Sequence, residues 1–217
     1  MGRSTTRIVS ARKLARDPTI ASVILRMMMA LNDSALANAA LSEWSHTEDR
    51  HKKFRARGAR MYFSRMQLGH ALEALDIVTE IRDSQHLSNA VARCDATTRA
   101  SFDAVVKFID SDDHKLLIKI RNALSFHYDK KLAKRAIQRI AKSEPNYVSP
   151  FTLGTEVLDW HFELADKVTN SIMLFDILKL SDADDYVGVS DEVLGRLWRM
   201  QQVFADFAGY FTREYTS

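Results

Sequence analysis

The chain has 217 residues, 46% of them hydrophobic and 27% charged, enough apolar material for one globular domain with an appended subdomain. Its single cysteine, Cys94, excludes an intramolecular disulfide framework and any multi-cysteine zinc site, and fits a reducing, cytoplasmic compartment. The net charge of +3 hides a division near Ser143: residues 1–142 hold 26 Lys and Arg against 15 Asp and Glu (+11), whereas residues 143–217 hold 5 against 13 (−8).

That asymmetry predicts a basic surface for a polyanion, with the acidic part packed against it or turned to another partner. Three prolines, seven glycines and many Leu, Ala, Met, Lys and Arg predict an all-α protein. The expected division is a basic N-terminal arm (1–16), a helical core (17–142) and an acidic helical extension (143–217) on the same domain, with Pro145 and Pro150 marking the joint.

In chain order, Asp17 and Pro18 supply a cap and a first-turn proline before an apolar stretch over Ile20–Leu31. Arg26 interrupts that stretch, which is too short for a membrane span, so no membrane partner is expected. Asn32 to Ser34 predict an interruption before a helix over Ala35–Trp44, and Ser45 with Glu48 forms a capping box opening a segment to about Ile81. Phe54, Met61, Leu68, Leu72 and Leu75 are its apolar stripe. Further helices are predicted over Thr97–Ile109, Asp113–Phe126, Lys130–Lys142, Thr155–Leu178 and Asp191–Phe211. Amphipathic helices joined by short turns are best satisfied by an antiparallel bundle with a four-helix core, with Met27 to Met29 and Cys94 as packing residues.

The segment Ile120 to Asp129 reads Ile-Arg-Asn-Ala-Leu-Ser-Phe-His-Tyr-Asp. Arginine carries a permanent charge on a planar fork suited to phosphate, and histidine moves protons near neutral pH. On a regular helix Leu116, Ile120, Leu124 and His127 share one stripe while Arg121 points elsewhere. Six positions give about 9 Å of rise, so one chain pairs Arg121 and His127 poorly, and a two-fold dimer would build a composite site from two copies. The structural alternative is that both are ordinary surface or core residues.

Arg121-Asn122, His127 and the Phe-His-Tyr-Asp run resemble the signature of the HEPN superfamily, higher eukaryote and prokaryote nucleotide-binding domains: an arginine, often a polar neighbour, then four to six residues and a histidine. The resemblance covers about Ala96 to Lys142. It implies a dimeric helical bundle and a metal-independent endoribonuclease of toxin-antitoxin or phage-defence type, acting without a cofactor. His127 would serve as general base or acid around attack of an RNA 2′-hydroxyl on its neighbouring phosphate. Arg121 would hold that phosphate, and Asn122 would orient the histidine or donate to phosphate. In one family subgroup a tyrosine two residues after the histidine is nucleotidylated by a partner antitoxin. Here Tyr128 follows His127 directly and Asp129 takes that place, so an antitoxin or nucleotidyltransferase partner would not act in that way.

For RNA, Arg50, Lys53, Arg57 and Arg60 form one helical ridge, and Lys130, Lys131 and Lys134, with Arg135 and Arg139, form a second group after the motif. A solvated helix face is the bland alternative for both. Metal readings are weaker: Glu43 with His46 and Glu48 with His51 have di-iron spacing but lie side by side rather than on two helices. Asp110, Asp112, Asp113 and His114 are expected to end one helix and start the next, and Asp159, His161 and Glu163 cannot share one helical face. Asp182, Asp184 and Asp185 read as a solvated loop. Beside the ribonuclease stands a second function class, a non-catalytic helical module binding a nucleotide or a protein.

Overall fold

The computed structural model describes residues 9–46, 50–125, 129–153, 155, 161–181 and 185–216, and the side chains of 45–46, 50–57, 60–61, 124–125, 186–187, 190–191 and 194 fall outside that description. The chain is all-α, 83% helical, with one two-stranded ribbon among the described residues. Its contacts divide it into two units, one of residues 1–32, 73–111 and 196–217, the other of residues 33–72 and 112–195.

In the first unit, α1 (Ala11–Leu14) is one turn capped by Ser10, and α2 (Pro18–His46) follows. Asp17 caps α2 through Oδ1, which accepts from the backbone N–H of Thr19 and Ile20 at 3.1 Å each. The expected break at Asn32 to Ser34 does not occur. None of the three is a glycine or proline; Asn32 and Asp33 are exposed, so water solvates their side chains while the backbone stays helical. By length and composition α2 is long and apolar enough to cross a membrane, contrary to the sequence reading, because it runs unbroken past Asn32 to Ser34. Its Val23, Ile24 and Met27 are fully buried in the first unit, whereas Leu25, Met29 and Leu36 are exposed, so of the methionine run only Met27 is a core residue.

Helix α3 (Arg50–Asp83) carries the expected stripe: Leu75, Val78 and Ile81 are sealed in the first unit, Leu68 and Leu72 in the second. The side chains of Phe54 and Met61 lie outside the described residues, as does the Glu48 half of the capping box. Arg26 on α2 pairs with Glu80 on α3 at 2.6 Å. A short α4 (Gln85–Ala92), capped by Ser84, packs on α5 (Ala96–Ile109), capped by Asp95. Asp95 also accepts from Thr98 Oγ1 at 2.7 Å, which satisfies a fully buried hydroxyl, and from Arg213 at 2.7 Å. Phe207 of α9 (Tyr186–Thr216) sits 5.2 Å from Phe102 and 5.5 Å from Phe211, both contacts of aromatic rings in the core. Cys94 is the expected buried small residue, and burial pushes its thiol pKa up.

In the second unit, Asn38 accepts a hydrogen bond from the buried Gln67 amide, joining α2 to α3 there. Helix α6 (Asp112–Ile120) turns Leu117 and Ile120 inward and continues into a π-helical turn, Arg121–Ser125; α7 (Lys130–Ser143) follows. The predicted single helix over Thr155–Leu178 is corrected. Phe151–Thr152 (β1) pairs antiparallel with His161–Phe162 (β2), α8 spans only Glu163–Ser171, and Ile172–Ile177 is π-wound. The β-forming character of aromatic Phe151 and Phe162, which pair across the ribbon with near-parallel rings 6.3 Å apart, outweighs helix propensity in this stretch. Lys179, with φ 60°, ends the π stretch in the left-handed region where glycine is usual.

Truncating Phe207 to Ala removes a fully buried ring and is expected to cost about 3–5 kcal/mol in chemical denaturation. A pH effect follows from the caps. The carboxyls of Asp17, Asp95 and Asp129 lie below the usual range, chiefly because each accepts a backbone N–H, from Ile20, Thr98 and Leu132 respectively. Their contribution is complete above the unfolded-state pKa and lost as pH falls through the lower folded value. Melting temperature should therefore drop below about pH 4, and Asp95→Asn with Asp129→Asn, caps that do not titrate, should flatten the drop.

Candidate functional site

The described residues of the Arg/His motif all belong to the second unit. Asp112 and Asp113 start α6 in the first turn, where the helix dipole favours acids, and Asp112 holds Lys115 at 2.8 Å. Asp110 pairs with Arg82 at 3.3 Å, so these acids serve ion pairs and a helix start, as expected. Arg121 opens the π-helical turn, half-buried and engaged with the rest of the chain, and Asn122 is exposed. His127 lies outside the described residues. The π winding alters the starting geometry: hydrogen bonds reaching five residues back widen the turn, so angular offsets from an ideal α-helix do not describe residues 121–125.

Asp129 closes the motif as the N-cap of α7, accepting from Lys131 N at 2.7 Å and Leu132 N at 2.9 Å. It is thus a cap and in no position that requires another role. Helix α7 is strongly two-sided. Ala136 and Ile140 are buried, whereas Lys130, Lys131, Lys134, Gln138 and Lys142 are exposed. Between the two sides lie Arg135 and Arg139, and the acidic C-terminal part claims both. Asp176 accepts from Arg135 Nε and Arg139 Nη2, each at 3.1 Å, with its side chain only 8% exposed. Arg139 also donates to Ser171 Oγ at 2.7 Å and lies 4.7 Å above the Phe175 ring. Of the second basic group, the lysines alone therefore face solvent without an ion pair among the described residues. The first ridge, Arg50, Lys53, Arg57 and Arg60, falls on α3, but its side chains lie outside the described residues.

The structure adds a feature the sequence did not reveal. A cleft of about 1190 Å³ opens between the C-terminal half of α7, α8 and the following π stretch. Ile140, Leu174, Phe175 and Leu180 supply its apolar lining, and Lys142, Tyr147 and Asn170 its polar lining. Lys167 donates to Glu144 Oε2 at 2.5 Å and stands 3.6 Å from the Tyr147 ring centroid. His161 Nε2 and Asp166 Oδ2 are 3.0 Å apart, both largely buried. Glu163 occupies the first turn of α8, where the dipole favours it. Arg139, Glu144, Asp166 and Lys167 thus have partners within the second unit, and no ion pair holds Glu163 or Lys142 among the described residues. Its one sequence signal is the α8 face at steps of three and four, Glu163, Asp166, Asn170 and Leu174.

Gly58 explains how Asp166 fits. A Cβ at Gly58 would collide with the Asp166 carboxylate, whose Cγ would be 2.7 Å away. Among the described residues no three His, Cys, Asp or Glu side chains converge as metal ligands. No protein-family model matches the chain, and comparison with curated proteins and with solved structures gives no match. The HEPN resemblance rests on the motif and the helical context alone.

Gly58→Ala should displace the Asp166 carboxylate from its 3.0 Å contact with His161, so the melting temperature should rise by less than the gain of about 1 kcal/mol expected from alanine's helix propensity. In a double-mutant cycle, Gly58→Ala should stabilise more in an Asp166→Ala background, because the colliding carboxylate is then gone; strict additivity would contradict the contact.

Proposed function

We propose that the chain is a HEPN-like, metal-independent endoribonuclease, acting as a homodimer in a toxin or phage-defence role, with Arg121, Asn122 and His127 as its site. The observation that supports this reading is the winding at Arg121 and Asn122 together with the lysine face that follows it in sequence. Arg121 and Asn122 lie on a π-helical turn, a winding that recurs at functional sites, and one capped start later α7 presents Lys130, Lys131 and Lys134 to solvent. A phosphate held by Arg121 would have a lysine-lined helix beside it in sequence, and an RNA strand could extend along that helix.

The chemistry is self-contained. The 2′-oxygen forms a bond to phosphorus as the bond to the 5′-oxygen breaks, leaving a 2′,3′-cyclic phosphate and a 5′-hydroxyl. His127 takes the 2′-hydroxyl proton or supplies one to the departing oxygen, its partner in the other role being the second copy or water. Arg121 neutralises charge on the equatorial oxygens, and the exposed Asn122 amide donates to phosphate or to the histidine. The proposed surroundings are a cytoplasm and an antitoxin or nucleotidyltransferase partner, with no membrane involved.

A non-catalytic helical binding module is the second reading, favoured by the half-buried Arg121, already engaged within its own chain. One experiment separates them. Purified protein in chelator should cut unstructured RNA to cyclic-phosphate ends, and Arg121→Ala and His127→Ala should each abolish cutting with helicity and melting temperature retained. Absence of cutting by the wild type, with Arg121→Ala lowering the melting temperature instead, would establish the module. Independently, Lys131→Ala with Lys134→Ala should weaken RNA binding and reduce the salt slope of log K by about 1.4, roughly 0.7 for each lost phosphate contact on a single strand.

A further inference from the structure

We infer that the cleft between α7 and α8 is a base-binding subsite for single-stranded RNA, receiving a nucleotide that has run along the lysine face of α7. This inference rests on the RNA reading above and adds the place where the strand ends.

Lys134, Gln138 and Lys142 follow one another at steps of four, so all three lie on one edge of α7, and all are exposed. From Lys134 to Lys142 the rise is about 12 Å, a span of a few nucleotides. The edge begins near the motif and finishes at the cleft, since Lys142 is also one of its lining residues. Lys142 is the cation of this lining without an ion-pair partner among the described residues; Arg139 is committed to Asp176 and Lys167 to Glu144.

The charges of the lining decide what goes in. A phosphate would gain little where Arg139 and Lys167 are already paired and Glu144, Glu163 and Asp166 add carboxylates, and a purely apolar group would strand the Asn170 amide and the Tyr147 hydroxyl. A nucleobase matches both features: it is uncharged and planar, with polar edges. Ile140 and Leu174 offer apolar contact to its face, Tyr147 and Phe175 are aromatic neighbours, and Asn170 offers a donor and an acceptor to its edge. Lys142 at the mouth would take the attached phosphate. The volume of about 1190 Å³ leaves ample room.

The probe is a short 2′-O-methyl oligoribonucleotide carrying 4-thiouridine, which cannot be cut through its 2′-oxygen. Irradiated with wild-type protein, it should crosslink to peptides containing Tyr147 or Phe175 as well as to α7. Asn170→Trp, which fills the cleft, should weaken its affinity about tenfold, the size of one lost base stack, and remove the cleft crosslinks. The wild-type crosslink map keeps the inference testable if that variant fails to fold. Crosslinks confined to α7, with normal affinity in a folded Asn170→Trp, would overturn the subsite and leave the RNA reading standing. Equal competition by free uridine monophosphate would make the cleft a mononucleotide site and likewise overturn the strand subsite. No binding of the oligonucleotide at all would remove the RNA reading itself, and the inference with it.

Discussion

The carboxylate of Asp176 organises the second unit's candidate site. It sits on the π-helical stretch after α8, almost fully buried, and takes one hydrogen bond from each of two arginines a single turn apart on α7. A buried acid is stable only where its charge is matched and hydrogen-bonded, and two guanidinium groups do both. The pairing fixes α7 rotationally. With Arg135 and Arg139 drawn to the π stretch and Ala136 and Ile140 buried, the remaining lysines are left on the solvent side, and Arg139 lies against Phe175 beside the cleft. The basic face and the cleft are two consequences of one interaction.

Among the described residues of this unit two helices change their winding, one at Arg121 and one beside the cleft. Helix α6 becomes π-helical at Arg121, and α8 becomes π-helical at Ile172, with Leu178 N bonding back to Met173 O at 3.0 Å. Each π turn spends geometry that an α-helix would retain, and the cost must be met by packing. For Ile172–Ile177 the packing is evident: this stretch contacts both α6 and α7, and it carries Phe175 and Asp176. At Arg121 the π winding begins directly after the buried Leu117 and Ile120. The stripe itself shifts by one residue from the expected Leu116, which is only half-buried, to Leu117.

What could be read in the sequence was what local chemistry dictates. Asp17 caps α2 as expected, because a carboxylate before an apolar-periodic run has backbone donors to satisfy, and the helices that Asp95 and Asp129 cap begin within a residue of the starts expected at Thr97 and Lys130. The stripe of Leu68, Leu72 and Leu75 followed from period alone. What stayed hidden depends on distant partners. Nothing near Gly58 in sequence announces Asp166; nothing around Ile172 signals a π winding. The ribbon of Phe151 and Phe162 pairs residues across a joint that looked like the start of a helix. Arg121, Asn122 and the α7 lysines were legible as candidates from residue type and spacing. The cleft was not, because its lining residues gain meaning only when α7 and α8 lie side by side.

The charge asymmetry then takes a narrower meaning than a basic part set against an acidic one. Within the second unit the described acids make specific pairs: Asp176 is shared by two arginines, Glu144 meets Lys167 and Asp166 meets His161. Arg139 meets a carboxylate, a hydroxyl and a ring at once, for which its planar fork is suited, and the lysines of α7 are left for solvent. On the RNA reading, that partition makes the α7 face a row of flexible point charges. Such a row binds a phosphate backbone without reading its sequence, so discrimination among RNAs would have to come from elsewhere. The cleft at the end of that row, where Asn170 supplies the amide of the lining, is where a base would be read on that proposal.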